Sequence, residues 1–467
     1  MKISLNNIHY YTLQSIISVG LGLLVFAICA RYLQAEILGV YLLSYSCSLV
    51  LNSVANMNLL AVYERNYFEF EASSRKSEQD ILFYTLLIFS CFVIGIFSLV
   101  IYYLPTKIFT LLKLDKYSFL YVFIGMGIYF NCQFGLSRFK NIGDAYSFMK
   151  YGLIASVSLV IILIIFLILD IKYYPIEISF LFAQILAAFA LLSKFPTIKR
   201  DKIFSPELLH YSLGISLPAL PRVLVTSLNT QLDRIIAGGI GGPATLAIYG
   251  ILQTVSSSIF LFMTALGRDF QPRVYKLLFD KNNSSFHNLL NPYIYLSGLT
   301  SLILAMFPDD LLSIIFGSQY RGNGYIVSFL VLIYFSMFIG KINGLQLLAS
   351  KRTGVTSVIM TASMFINYIS IQELYGLFSI FGLAISFALS QFFLTVCIYF
   401  CARIYNRINF QLNLYFFIII ILVFMIGLNS PILTSIFNVV AIKLIILSFY
   451  LFIGYRFNYF KLFYNKN

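Results

Sequence analysis

The chain reads as an all-α membrane protein. Two parallel six-helix lobes, related by pseudo-two-fold symmetry, are followed by about two further helices. Three observations predict this. Of 467 residues, 60% are hydrophobic and only 11% are charged, more apolar surface than a soluble domain can hide. Fourteen apolar runs of about 20 residues follow one another, the length that crosses about 30 Å of hydrocarbon. The pattern then recurs at an offset of 208 residues: Ala30–Tyr41 (ARYLQAEILGVY) answers to Gly238–Tyr249 (GGIGGPATLAIY).

In order, the spans lie near 8–33, 37–62, 81–104, 117–137, 148–170 and 174–194 in a first lobe, 1–207. They continue near 209–231, 244–267, 291–307, 325–349, 354–372 and 378–402 in a second lobe, 208–412. The last two, near 413–429 and 431–455, belong to a tail, 413–467. Their separation rests on Asn429, Ser430 and Pro431, which sets the count at twelve to fourteen. Backbone groups in lipid must bond internally, and short alternating strands are missing, so the spans are helices and not barrel strands. The run from Ile81 recurs from Asn291, and the junction at Gly143 recurs at Gly354. An even number of spans per repeat gives both lobes one orientation, as in transporters whose substrate path runs between parallel halves.

The net charge is +14. With a cytoplasmic N-terminus, 22 of the 32 Lys and Arg fall inside, 7 outside and 3 within spans. The positive-inside rule therefore places both termini in the cytoplasm, and the basic excess calls for no nucleic-acid partner. Trp is absent, and pairs such as Tyr10–Tyr11 and Tyr102–Tyr103 take its place at the interfaces. The first apolar run is too long for a cleaved signal peptide. All six Cys fall in apolar segments and read as packing. The mixed-charge stretch Glu64–Asp80 reads as a solvated connector or a short surface helix.

Motifs for chemistry are missing. There is no GxxxxGK[ST], no HExxH and no paired Cys knuckle, and His9, His210 and His287 are scattered. The first outer loop carries Glu36 alone, too little for a glycan polymerase. The expectation is movement and not catalysis, with no metal or cofactor, and with H+ or Na+ as the candidate coupling ion.

The seventh span, SLPALPRVLVTSLNTQLDRIIAGG, is the most unusual. Pro218 and Pro221 each remove a backbone donor and are expected to break the helix. Arg222 follows near mid-membrane, where a charge costs about 2.5–3.5 kcal/mol on insertion scales, so it should face the cavity as an anion-binding group. The alternative is a cap on carbonyls freed by the kink. Lys341, among Gly340, Asn343 and Gly344, is the second cation of this kind, for an anion, a proton relay or packing. Asp233 and Arg234 close the span as coupling or structural charges. Arg31 stands at the matching place in the first lobe, as a guard of the outer mouth or a headgroup contact. Asn52 and Asn56 share a face of the second span, for a sugar-binding lining or for inter-helix hydrogen bonds. Lys443 is expected to snorkel from the last span.

Three strings, ARYLQAEILGVY, LDRIIAGGIGGPATLAIY and LLSIIFGSQYRGNG, resemble the Wzx-type polysaccharide-lipid (O-antigen) flippases. These belong to the superfamily of multidrug, oligosaccharidyl-lipid and polysaccharide (MOP) exporters. Gln34 and Ala247 stand where that family usually has Gly. The resemblance implies a MATE-like pair of lobes rocking between inward and outward openings. It implies an undecaprenyl-pyrophosphate-linked oligosaccharide, of O-antigen or a related surface polysaccharide, as cargo crossing the bacterial inner membrane. A polysaccharide polymerase and a chain-length regulator are the implied partners. A drug exporter of the same fold is the rival. It would want buried carboxylates for a cationic drug, whereas the mid-span charges here are Arg222 and Lys341.

Overall fold

The computed structural model describes residues 5–72, 76–171, 173–195, 203–279, 283–349, 353–405, 413–430 and 439–457. Lys199, Arg200, Lys202, Lys281 and the Pro431 junction lie outside them. No strand occurs among the described residues. The helices are α1 (Leu5–Tyr32), α2 (Ala35–Ala55), α3 (Leu59–Ala72), α4 (Lys76–Tyr103), α5 (Thr106–Leu111), α6 (Lys116–Ile142), α7 (Ala145–Ile168) and α8 (Pro175–Leu192). There follow α9 (Pro206–Phe279), α10 (Asn283–Met306), α11 (Pro308–Phe316), α12 (Gly324–Ala349), α13 (Thr353–Tyr405), α14 (Asn413–Leu428) and α15 (Val439–Arg456).

Among the described residues ten helices are long and apolar enough to cross a membrane, or eleven if α10 and α11, bent by 72°, form one span. The difference from fourteen apolar segments has local causes. Helix α9 runs through two of them and is broken at Gly242 (φ 80°, ψ 175°). Helix α13 does the same and is broken at Ser379 (φ 50°, ψ −129°). Helix α14 has only 16 residues. Sharp ends elsewhere are written in the sequence. Gly143 takes a left-handed φ of 82° to close α6, and the Asp144 carboxylate accepts the Ser147 N–H at 3.0 Å to open α7. Asp115 caps α6 in the same way, at 2.8 Å from the Ser118 nitrogen.

By packing, the chain forms two units, Met1–Ala247 and Ile248–Asn467. This division is a different quantity from the repeat boundary at 207/208: the seventh span packs with the first six. In the first unit α6 lies against α2, α4 and α8, and α7 lies against α1 and α8. One core joins Tyr63 and Phe70 of α3, Phe83 of α4, Phe134 of α6 and Leu208 of α9. Tyr63 meets Phe83 and Phe134 at 5.9 Å between ring centroids. Of the two expectations for this stretch, the helix is found: α3 keeps Arg65 and Glu69 exposed, but Tyr63 and Phe70 are 1% exposed, so its apolar face is packed into the core. Ile161, Ile164, Ile165 and Ile168 of α7 are exposed on one face, an apolar stripe suited to lipid.

The two repeated strings touch. A Cβ on Gly39 would overlap the Pro243 carbonyl, and one on Gly238 would sit 2.8 Å from Leu43 Cδ1. Gly39 thus allows the start of α2 to close on the turn at Gly242.

In the second unit α12 packs on α13, and α10 packs on α12, α14 and α15. Tyr295 and Tyr450 stack at 4.8 Å and bond reciprocally, each hydroxyl donating to the other's carbonyl, at 3.2 and 2.8 Å. Lys443 does not snorkel. It is 6% exposed, and its Nζ donates to Asn429 Oδ1 at 2.6 Å. The Asn429 amide donates in turn to the Ala305 carbonyl at 2.7 Å and to Ser328 Oγ at 2.8 Å. A short polar relay therefore accommodates the cation that a free headgroup position would have taken.

Gly39→Ala should lower stability by about 1–3 kcal/mol, because the added methyl meets backbone that cannot rotate away. Gly22→Ala, with nothing within 4 Å of the new methyl, is the control. Thermal unfolding of the detergent-solubilised protein, followed by size-exclusion, reads both.

Candidate functional site

The second span is not one helix. Helix α2 stops at Ala55 and α3 starts at Leu59, with Met57 (φ 44°) and Asn58 (φ 57°) left-handed between them. Asn tolerates this conformation through its short polar side chain, whereas Met does so at a cost of about 1–2 kcal/mol. Irregular backbone at membrane depth persists where it is buried in protein or lines a cavity. A cavity of about 230 Å³ opens at this break, lined by Ser53, Asn56, Asn58 and Glu64 with Phe130 of α6 and Val223 of α9.

Its polar groups are held from behind. Asn56 Oδ1 accepts from Ser90 Oγ at 3.0 Å, and the buried Nδ2 has no partner. Ser227 of α9 donates to Ser53 Oγ at 2.7 Å, and Ser53 donates to the Leu49 carbonyl at 2.8 Å. Glu64 Oε1 accepts from Lys140 Nζ at 2.8 Å and from Ser137 Oγ, so its charge is matched. The result is a pocket of amide and hydroxyl groups beside a neutralised carboxylate. It can hydrogen-bond hydroxyl-rich ligands. Among the described residues no group of three His, Cys, Asp or Glu is placed to hold a metal.

Helix α9 is fastened to the first unit along this stretch. The Ser205 N–H donates to Thr85 Oγ1 at 3.0 Å, Asn66 Nδ2 donates to Ser212 Oγ at 3.3 Å, and the Tyr211 hydroxyl donates to Glu69 Oε1 at 2.9 Å. Arg65 pairs with Glu69 at 3.3 Å and Arg138 with Asp80 at 3.2 Å in the same region.

Pro218 and Pro221 do not break the helix. Gly242 is where α9 leaves helical φ/ψ. Proline's fixed φ near −65° is itself helical, and the lost donor bends a membrane helix without ending it. Arg222 is exposed and next to Val223 of the cavity wall. Asn56 reaches the cavity, and Asn52 does not: its Nδ2 donates to Ser48 and Phe123 carbonyls at 3.0 and 3.1 Å, binding α2 to α6. Asp233 is wholly buried, with Oδ1 accepting the Arg234 N–H at 2.9 Å. Arg31 is exposed, and Asp233, Arg234 and Arg31 each engage further groups. Lys341 belongs to the second unit, half-buried, its Nζ 5.4 Å from the Phe260 ring centroid.

The strings that carry the resemblance contain turns. Asp309, two residues before LLSIIFGSQYRGNG, accepts the Gly322 and Gly324 N–H groups of that string at 2.8 and 2.9 Å, while Gly317 and Gly322 take φ of 112° and 91°. The break at Met57–Asn58 was missed in the sequence. The signal present was the pair of Asn flanking Met57 inside an apolar run.

A second cavity of about 260 Å³ is lined by Leu87, Ile128, Ile185, Phe189 and Leu192, with Cys91 and Asn131. Its walls are almost entirely apolar and suit a hydrocarbon chain.

No protein-family model matches the chain. A capsular polysaccharide biosynthesis protein, CapF of Staphylococcus aureus, is 28% identical over 232 residues, 46% of this chain and 55% of that protein. The match thus spans about half the length of that relative. Among solved structures, the lipid II flippase MurJ in an inward closed conformation superposes with a TM-score of 0.69 at 15% identity, over 97% of this chain and 99% of that one. An inward-facing multidrug resistance MATE transporter of the MOP superfamily gives 0.61 at 13% identity, over 85% and 94%. A mutant of the Vibrio cholerae MATE transporter VcmN gives 0.58 at 14% identity, over 88% and 98%. The fold is therefore the MurJ and MATE fold, all-helical and shared with flippases and transporters.

Asn58→Val should lower stability by about 1–2 kcal/mol, because a β-branched residue resists positive φ, whereas Asn58→Gly should stay within about 1 kcal/mol of the parent. Thermal unfolding of the two variants side by side checks this.

Proposed function

We propose that the chain is a flippase for a polyprenyl-pyrophosphate-linked oligosaccharide, the repeat unit of a surface polysaccharide such as O-antigen or capsule. The observation that carries this reading is the amide-and-hydroxyl cavity at the helix break, whose wall residue Val223 follows the exposed Arg222 in the chain. Sugars offer many hydroxyls to the amides, and a pyrophosphate offers anionic oxygens to the cation. A cation exposed within an apolar span faces water and not lipid, because hydrocarbon would leave it without hydration. The fold shared with a lipid II flippase and the partial match to a capsular polysaccharide biosynthesis protein both support this cargo class.

In this reading the protein sits in the bacterial inner membrane with both termini cytoplasmic, and cargo moves outward by alternating access. Arg222 takes the pyrophosphate, and Asn56 and Asn58 take glycan hydroxyls. Lys341 and Arg31 are further anion contacts on the route. A polymerase and a chain-length regulator act on the delivered units. Each negative charge moved outward gains about 2.3 kcal/mol per 100 mV of inside-negative potential, which favours export even without ion exchange.

The test is transbilayer movement of a labelled polyprenyl-pyrophosphate oligosaccharide in sealed proteoliposomes without ATP, scored by a membrane-impermeant reagent. Arg222→Ala should slow movement about tenfold or more, the loss of one charge-assisted contact worth about 1.5–3 kcal/mol. Vesicles that export a cationic dye and leave the lipid-linked glycan in place would replace this reading with drug export.

A further inference from the structure

Glu177 is a carboxyl group that the sequence did not single out and the proposed function does not use. It is the third residue of α8 and 1% exposed. One oxygen, Oε1, accepts from Ser118 Oγ of α6 at 2.8 Å. Ser118 Oγ lies 2.9 Å from Ser44 Oγ of α2, and because Ser118 spends its proton on Glu177, Ser44 is the donor in that pair. The other oxygen, Oε2, is buried without any partner. Three helices therefore meet at one carboxyl group that is only half satisfied.

Among the described residues, the charged group that acts on it is an acid and not a cation. Asp115, which caps α6, acts on it as a second acid. Cys29 of α1, Tyr41 of α2 and Tyr174, in the turn before α8, are its other electrostatic neighbours, and each is neutral or anionic. Lys116, the nearest cation in sequence to Ser118, is bonded instead to the Leu104 carbonyl at 3.0 Å. Arg234 acts on Tyr45. The start of α8 favours an anion through its dipole and the residue's own N–H, yet these and one hydroxyl do not replace the hydration of a carboxylate, and Asp115 repels it. An ionisable side chain in a membrane span without a counter-ion is best understood with its charge removed.

We propose that Glu177 is a reversible proton-binding site in the first unit. A proton delivered by hydronium forms an O–H bond on Oε2, leaving the carboxyl neutral and releasing water, and the reverse step returns the proton to water as hydronium, with no change of oxidation state. The neutral form allows α2, α6 and α8 to close on one another through Ser44 and Ser118. The ionised form places a charge in that seam and favours its opening or hydration. Proton occupancy is thereby linked to the packing of three helices, at a residue distinct from Asp233, the carboxylate that the sequence suggested for coupling. The inference stands on this geometry and is independent of the cargo.

Infrared difference spectra of the whole protein in lipid nanodiscs, recorded across a pH series without substrate, test it. The expected result is the carbonyl stretch of a protonated buried carboxyl that disappears as pH rises and is missing in Glu177→Gln. Ser118→Ala removes a donor to the ionised form and should raise proton affinity about tenfold. Asp115→Asn removes the repelling charge and should lower it. A wild-type spectrum without such a band at any pH, or a band that survives in Glu177→Gln, overturns the assignment. If Glu177→Gln does not fold, unchanged midpoints in both Ser118→Ala and Asp115→Asn overturn it equally.

Discussion

A peptide group in hydrocarbon can place its hydrogen bonds only on its own helix or against other protein, and this constraint organises the molecule. It turns a sequence that is 60% hydrophobic into helices and leaves the described residues without a strand. It also makes each interruption of a helix informative. The breaks at Met57–Asn58, Gly242 and Ser379 cost backbone energy and need compensation nearby. At Met57–Asn58 the compensation is a cavity whose walls carry amides and hydroxyls.

Helices without a hydrophobic drive between them cohere through close approach and hydrogen bonds. Both devices are visible. Gly39 lets α2 close on the Pro243 carbonyl, and Gly298 and Gly454 leave room for the hydroxyls of Tyr450 and Tyr295. The tyrosine pair then bonds α10 to α15 reciprocally, each ring filling the space that a glycine leaves on the opposite helix. Lys443 and Asn429 show how a charge enters such packing: the ammonium is bonded to an amide whose own donors are taken by a carbonyl and a hydroxyl. Polar side chains here act as fasteners between helices, and a net contribution of about 0.6–2 kcal/mol each is enough because they are many.

The seventh span is the clearest meeting point of packing and function. Its attachments to the first unit include Thr85–Ser205, Asn66–Ser212, Glu69–Tyr211 and Ser53–Ser227. Most of them are neutral hydrogen bonds of modest strength, made by groups that water can satisfy equally well when the contact opens. Leu208, Leu209 and Leu213 add apolar contacts to the core of that unit. Val223, on the cavity wall, belongs to the same helix.

What the sequence determined by itself was whatever depends on local composition. Helical class and the turns at Gly143, Gly242 and Gly317 follow from residues adjacent in the chain, whose backbone preferences need no partner. The family resemblance lay in those turns, which is why it foretold the fold. Tertiary structure decided which polar side chain faces which neighbour, since rotation about a helix axis leaves no trace in an apolar run. Asn52 and Asn56 share a helical face, yet one binds α6 and the other lines the cavity, because α2 ends between that face and α3. Pro218 and Pro221 looked like breaks, but a proline's fixed φ is itself helical, and α9 continues through both to Gly242. Glu177 drew no notice in the sequence, because desolvation is set by every neighbour at once and by none of them in sequence.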